Sequence, residues 1–452
     1  VNGYSRPALR VWWIALAVKI TLAVWLPLSN DEAYYWVWGH HPDWSYFDHP
    51  GMVGWLFTLG TFLENLGNGA RIPGVILGHL TLLIWWKILA PWLDERKQTA
   101  WLLLMLFSPF VGIGSLVITP DVPLLFFWSL SLYFFLNAIE KPNARNYLAL
   151  GAALGLGFCS KYPIVLFVPI ALVWLVVSRK LQVVRWSLVP LTVISGLLCC
   201  FPVLYWNSQH EWASFGFQLN HGLSNTTTDW HWPVEFLAGQ IALVFPLLAW
   251  LTLQRREPEG ARFLRYFGWL PVLFFTCTAF RARPEANWAL MAHPALLSLA
   301  FLNLKNERWL KITIGIWAAC ALIVFSEIAY PWLPIEPKRL KTTEFTRYDI
   351  FVPEAQLTSD PELYLGSYQM AASVSYKLRR QFYKLGGMNR RDFYDFTPQS
   401  YPHSASFRIG AEKNQALPEW LEKGGFKVVG SKSLGDEFQI LEVRKRAQGS
   451  DQ

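Results

Sequence analysis

The stretch SNDEAYYWVWGHHPDWSYFDHPG, Ser29 to Gly51, brings Asp31, Glu32, Asp43 and Asp48 together with three histidines and many aromatic rings, and it holds no Lys or Arg. A further acid, Asp121, stands between prolines in TPDVP; Lys161 lies in CSKYP, and Arg281 and Arg283 lie in FRARPEANW. A carboxylate can take a proton from an attacking hydroxyl, while Arg offers phosphate a two-pronged fork and Lys a compact charge. Acids beside cations therefore point to an enzyme acting on a phosphate ester, the cations holding the phosphate and a carboxylate activating the nucleophile. Each residue also has a plainer role. Asp31 and Glu32 fit the start of a helix, where free backbone N–H groups stabilise carboxylates. Asp121 fits a cap with Pro123 opening the helix, and each cation fits an ion pair with Glu285 or Asp121. His40 and His41 lie near Asp43 without a metal-ligand spacing.

The elements that must position these residues are set by composition. The chain has 452 residues, 53% hydrophobic and only 16% charged, with 25 Trp and a mean hydropathy of +0.24, which is membrane rather than soluble usage. Apolar stretches run from Leu9 to Leu28, Ile72 to Leu93, Thr99 to Val117, Val122 to Ile139, Tyr147 to Cys159 and Ile164 to Val177. Others run from Trp186 to Leu204, Val234 to Leu253, Phe263 to Phe280, Trp288 to Leu304 and Trp309 to Ala329. With a hydrocarbon core of about 30 Å to cross, they predict about eleven transmembrane helices.

Alternate loops carry Arg6 and Arg10; Arg96 and Lys97; Lys141 and Arg145; Arg179, Lys180 and Arg185; Arg255, Arg256, Arg262 and Arg265; and Lys305, Arg308 and Lys311. Cation-rich short loops stay in the cytoplasm, so this set is read as inside, with the N-terminus inside and everything after about Tyr330 outside. The first apolar run lacks a small-residue cleavage site before Asp31 and reads as an uncleaved span. The acidic stretch then opens a long first exterior loop, 29–70, in which DEAYYWVW and GMVGWLFTLGTFLENL read as interfacial helices. The rare exterior cations Lys161, Arg281 and Arg283 stand out against this bias, and at a membrane face the phosphate ester becomes a lipid phosphate.

From Pro331 the composition turns polar. EFQILEV and FKVV read as strands and MAASVSYKLRRQFYKLGG as a helix ending at Gly386 and Gly387, so 1–330 is expected to be the membrane domain and 331–452 a small α/β exterior domain. The five cysteines all fall in apolar stretches and read as packing residues. The formal charge of +8 follows from loop topology and a basic tail, not from nucleic-acid binding. Asn225 with Thr227 forms a glycosylation sequon.

NDEAYYWVW, YFDHPGMVGW, TPDVPLLFFWSLSLY, GLGFCSKYP, YWNSQHEWASFGFQ and RPEANWALMAHP, in this order, and YQMAASVSYKL in the tail together resemble the polyprenyl-phosphate-dependent glycosyltransferases of the GT-C fold. The resemblance is to the bacterial branch related to dolichyl-phosphate-mannose protein mannosyltransferases and to lipid A aminoarabinose transferase. It implies an α-helical polytopic membrane protein with a small α/β periplasmic C-terminal domain, in a bacterial inner membrane with the active site facing the periplasm. The implied reaction moves a sugar, with inversion, from an undecaprenyl-phosphate donor to a lipid A, envelope glycan or protein acceptor. By the resemblance, Asp31 with adjacent Glu32 is the catalytic position, and Asp48, His49 and Asp121 place the acceptor. Lys161, Arg281 and Arg283 hold the donor phosphate, and Tyr35, Asn207, His210, Glu285 and Asn287 line the cavity. The resemblance fixes no cofactor; a divalent metal at Asp31, Asp48 and His49 stays open. A lone His such as His210 is also commonly structural.

Two other classes remain. A transporter or flippase of lipid-linked sugars would also set charges near a membrane face, with internal repeats and interrupted helices carrying mid-depth charges; Lys19, Lys87 and Glu327 are the in-span exceptions here, each near enough to an end to snorkel. A membrane scaffold with a docking domain would leave Asp31→Asn silent.

Overall fold

A computed structural model of the chain describes residues 4–223, 229–335, 340–357 and 362–446; the Asn225 sequon lies outside them. The chain forms two compact units, Val1–Leu26 with Asp43–Tyr330, and Pro27–Pro42 with Pro331–Gln452. The start of the loop 29–70 is thus grouped with the polar C-terminal part rather than with the apolar helices.

The first unit is helical, and local chemistry sets its helix starts. Ser5 accepts from the Ala8 N–H to begin Arg6–Trp25, Asp94 accepts from Lys97 to begin Glu95–Phe107, and Asn143 accepts from Asn146 to begin Ala144–Phe158. Among the described residues five helices are long and apolar enough to cross a membrane: Arg6–Trp25, Gly69–Trp92, Asp121–Glu140, Trp186–Gln209 and Glu307–Ala329. Two of the stretches read as continuous are broken instead. Glu95–Phe107 turns by 72° into Pro109–Leu116, and His231–Val244 by 97° into Pro246–Leu253, giving up to seven spans if each pair counts as one. Both breaks fall before proline, which has no N–H for the helix ladder and drives the preceding residue out of helical backbone. Ser108 is extended and Phe245 takes a positive φ of 76°. The remaining apolar stretches form shorter helices, among them Phe167–Val177, Phe263–Thr278 and His293–Asn303.

The core of this unit contains the fully buried Trp85, Trp86, Trp101 and Trp128. Serine hydroxyls satisfy two of the indoles: Trp85 Nε1 donates to Ser129 Oγ at 2.7 Å and Trp101 Nε1 to Ser298 Oγ at 3.2 Å. Helix Ala144–Phe158 lies against helix Val189–Gln209 at very close range. A Cβ on Gly151 would come within 2.1 Å of Ser195 Oγ and the Thr192 carbonyl, and one on Gly155 within 2.3 Å of the Gly196 carbonyl; small residues of this kind let membrane helices meet backbone to backbone.

The second unit contains a five-stranded sheet of β1 (Leu363–Leu365), β2 (Tyr383–Lys384), β3 (Ser406–Glu412), β4 (Phe426–Leu434) and β5 (Phe438–Lys445), in the order β2-β1-β3-β5-β4. β1 runs parallel to β2 and β3, and β5 runs antiparallel to β3 and β4. The stretches FKVV and EFQILEV are indeed strands. The helix expected to reach Gly386 ends at Leu378: Arg379 adopts left-handed backbone, φ 50°, and its N–H closes the last turn. The chain then returns as β2, with the Phe382 N–H donating to Ser375 Oγ at 2.8 Å. Helix Asn30–His40 packs on helix Tyr368–Leu378 through Ser373 Oγ donating to Asn30 Oδ1 at 2.8 Å and through the ring pairs Tyr34–Tyr368 and Trp36–Tyr376.

Candidate active site

In the first unit Asp121 is the first residue of helix Asp121–Glu140 and is buried. Its Oδ1 accepts from Lys161 Nζ at 2.8 Å, and its Oδ2 from Asn287 Nδ2 at 2.7 Å and Thr119 Oγ1 at 3.3 Å. The carboxylate therefore serves two distant segments rather than its own helix start, and of the ion-pair partners open to Lys161 it is Asp121 that is used. The Lys161 side chain is 13% exposed, and its backbone is extended between helix Ala144–Phe158 and the 3₁₀ turn Tyr162–Leu166. An ammonium has three N–H donors, and the Asp121 bond uses one. Asn287 sits on the 3₁₀ turn Ala286–Ala292, which Gln240 braces by donating to the Ala286 carbonyl at 2.8 Å while its Oε1 meets His293 Nε2 at 2.8 Å.

The other sites read from sequence in this unit do not all join this group. Arg281 and Arg283 are exposed, and Arg283 meets Glu235 at 3.4 Å rather than Glu285 or Asp121. Glu285 is exposed and its carbonyl accepts from the Trp288 N–H. Asp48 is buried, its carbonyl accepting from Gln218 Nε2 at 2.6 Å; Ser45 and Pro50 close the loop around it as a β-bridge, and the His49 carbonyl accepts from the Tyr46 N–H. Asn207 is buried and donates to the Val203 carbonyl at 3.0 Å. The His210 ring stacks on Trp206 with centroids 3.9 Å apart, and its Nδ1 lies 2.8 Å from the Trp206 carbonyl. Asp43, which sequence reasoning weighed only as a neighbour of the histidines, organises this region: its Oδ2 accepts from Trp206 Nε1 at 2.8 Å and its carbonyl from Trp55 Nε1 at 2.7 Å. An acid within a dense run of indoles was the available signal.

In the second unit, Asp31, Glu32 and Tyr35 lie on helix Asn30–His40. Ser29 and Glu32 form a reciprocal capping box, Glu32 Oε2 accepting from the Ser29 N–H at 3.1 Å and Ser29 Oγ from the Glu32 N–H at 3.3 Å. Glu32 is buried and Asp31 exposed, so the two adjacent acids have different surroundings. Burial raises the Tyr348 phenol above its ordinary value, and the Asp31 charge adds to the rise. Tyr35 is buried and packs on Trp38, centroids 5.1 Å apart. Among the described residues no group of three or more His, Cys, Asp or Glu side chains is arranged to hold a metal ion.

The fold is that of a largely helical protein, with several helices long and apolar enough to cross a membrane and a small α/β unit. A family model described as dolichyl-phosphate-mannose-protein mannosyltransferase matches residues 48–206. The lipid A galacturonosyltransferase RgtD of Rhizobium johnstonii is 24% identical over 339 residues, 69% of this chain and 67% of that protein. The undecaprenyl phosphate-alpha-4-amino-4-deoxy-L-arabinose arabinosyl transferase of Edwardsiella ictaluri is 27% identical over 308 residues, 58% of this chain and only 54% of its own length. Among solved structures, ArnT from Cupriavidus metallidurans bound to undecaprenyl phosphate superimposes with a TM-score of 0.69 at 16% identity, covering 96% of this chain and 97% of that one. Over part of its length the chain is thus similar in sequence to proteins of these names, and it shares its fold with ArnT.

Proposed function

We propose that this protein is an inverting glycosyltransferase that moves a sugar from an undecaprenyl-phosphate donor to a lipid A-type acceptor at the periplasmic face of the inner membrane. The acceptor O–H attacks the anomeric carbon, Asp31 takes the proton, and the C–O bond to phosphate breaks with its electron pair leaving on the polyprenyl phosphate. Lys161 meets that developing charge, held in place by Asp121 and indirectly by Asn287. Acceptor placement falls to Asp48, His49 and Asp121. Arg281 and Arg283 assist the donor from an exposed rim. The observation that carries the reading is the Asp121 network: a nearly buried ammonium, fixed by one bond, is a preorganised partner for an oxyanion and needs no rearrangement as charge develops.

The test is mass spectrometry of envelope glycolipids and polyprenyl-phosphate sugars from cells lacking the gene, complemented with wild type or Asp31→Asn. A sugar that disappears from one acceptor while its lipid-linked donor accumulates, restored by wild type alone, supports the assignment. Unchanged glycolipids, protein glycans and donor pools would overturn it in favour of lipid-linked sugar transport, a reading that the two broken helix pairs also suit.

A further inference from the structure

Gln240 is the one amide in an apolar run, FLAGQIALVF, Phe236 to Phe245, where a polar group is costly unless it is bonded. It is 2% exposed, on helix His231–Val244 shortly before that helix turns by 97° into Pro246–Leu253. Both ends of the amide are used: Nε2 donates to the Ala286 carbonyl at 2.8 Å, and Oε1 lies 2.8 Å from Nε2 of the equally buried His293.

These two bonds fix each other. A backbone carbonyl only accepts, so the amide nitrogen must face Ala286 and the amide oxygen must face His293. That oxygen also only accepts, so His293 donates from Nε2. Turning the amide over would set its oxygen against the Ala286 carbonyl and its nitrogen against an N–H, leaving buried groups unbonded. His293 is held in turn as the first residue of helix His293–Asn303, with its ring edge-on to Phe110, centroids 5.1 Å apart.

The carbonyl held by Gln240 belongs to the residue before Asn287. Asn287 Nδ2 reaches Asp121 Oδ2 at 2.7 Å, and Asp121 Oδ1 accepts from Lys161 Nζ at 2.8 Å. The turn that carries Asn287 is 3₁₀, and Ala289 within it leaves helical backbone (φ −95°, ψ 17°). Such a turn has poorer hydrogen-bond geometry than an α-helix, so the direction of the amide it presents depends on outside bracing. A buried hydrogen-bonded line therefore runs from His293 through Gln240 and the Ala286–Asn287 backbone to the Asp121–Lys161 pair.

We propose that Gln240, oriented by His293, is a positioning residue for the donor phosphate: it sets Asn287, and through it Asp121 and the Lys161 ammonium, without itself touching the donor. The proposal rests on the glycosyltransferase reading and deepens it by making donor affinity depend on two buried groups behind the charged pair.

The experiment uses the full chain in phosphatidylcholine nanodiscs, with undecaprenyl phosphate and uncharged undecaprenol as probes and native mass spectrometry as a readout independent of turnover. Gln240→Met keeps an unbranched side chain and loses both bonds. A second variant, Gln240→Met/His293→Phe, removes the imidazole that the first leaves unpaired and keeps a ring against Phe110. Each should weaken undecaprenyl phosphate binding by about fivefold, the usual worth of a buried hydrogen bond, and leave undecaprenol binding unchanged. In an Asn287→Ala background the same changes should cost less than about twofold, because the line is already cut; groups that merely stabilise the fold would cost the same in both backgrounds. Equal affinity of wild type and both variants for undecaprenyl phosphate overturns the proposal, as do additive losses with Asn287→Ala or a parallel loss of undecaprenol binding. Phosphate-selective binding that follows this pattern without any sugar transfer would instead sink the glycosyltransferase reading alone.

Discussion

Asp31 and Glu32 are chemically alike and adjacent, so their surroundings must separate them. Glu32 is buried and its carboxylate closes a capping box, whereas Asp31 is exposed on the same first turn. Asp31→Asn should therefore lower transfer by about 10² to 10⁴, the usual worth of a general base, with membrane insertion and thermal midpoint unchanged. Glu32→Gln keeps an acceptor oxygen for the Ser29 N–H and should retain at least about a tenth of the activity; equal losses in both variants would remove the base assignment from Asp31. The donor cations separate in the same way. Lys161→Ala should raise KM for donor roughly tenfold, since it removes a charge fixed in a nearly buried network. Arg283→Ala should change KM no more than about twofold, because its partner Glu235 is 3.4 Å away and both side chains are largely exposed. Residue types were legible in sequence because acids and cations are conspicuous against an apolar chain. Their pairings were not: Asn287 and Asp121 are far apart in the chain, and only folding shows that one amide serves the other.

Periodicity and hydropathy located the helices, but not where two of them break. A proline inside an apolar run can be absorbed, as Pro202 is in Val189–Gln209 and Pro271 in Phe263–Thr278, or can end the helix, as Pro109 and Pro246 do; the outcome depends on whether neighbouring helices reach the freed carbonyls. Helix Trp186–Gln209 is apolar yet only 6% buried along its most hydrophobic window, so its close contact with Gly151 and Gly155 has few alternatives. Gly155→Val would drive a side chain into the Gly196 carbonyl. It should abolish folded yield in detergent or, where protein survives, shift the indole environment of Trp206, whose bond to Asp43 depends on that helix; an unchanged melting profile would refute this packing account. A second element-scale bond gives a pH signature. Burial pushes the Glu257 carboxyl up, but hydrogen bonds from Arg265 more than offset this and hold it below its ordinary value, while Arg265 also donates to the Thr252 carbonyl at 2.8 Å. A carboxyl whose folded pKa is depressed adds stability above its unfolded value of 4.5 and loses it as pH falls through the folded value. The thermal midpoint should fall as pH is lowered below about 4.5, and Glu257→Gln should flatten that dependence.

At the scale of the whole molecule, loop charge can be compared with where the loops meet. Arg96 and Glu307, from two cation-rich loops far apart in sequence, join at 2.8 Å, and Trp92 packs near Phe263 at the start of a third such segment. Three of the six loops grouped by charge alone therefore meet one another in the first unit, as they must if they lie on one side of a membrane. The small domain was legible as strands and a helix because alternation is a local signal. The grouping of Pro27–Pro42 with Pro331–Gln452 was not, since it depends on tertiary pairs such as Asn30–Ser373. Orientation follows as a prediction with two arms. With the native cysteines replaced and intact spheroplasts treated with a membrane-impermeant maleimide, Arg283→Cys and Lys427→Cys in β4 should label, and Arg96→Cys should label only after lysis. All three positions are exposed, so a failure to label reports sidedness rather than burial. Labelling of Arg96→Cys in intact spheroplasts with protection of the other two would invert the chain, place the Asp121 network and the sheet domain in the cytoplasm, and remove a periplasmic acceptor from reach.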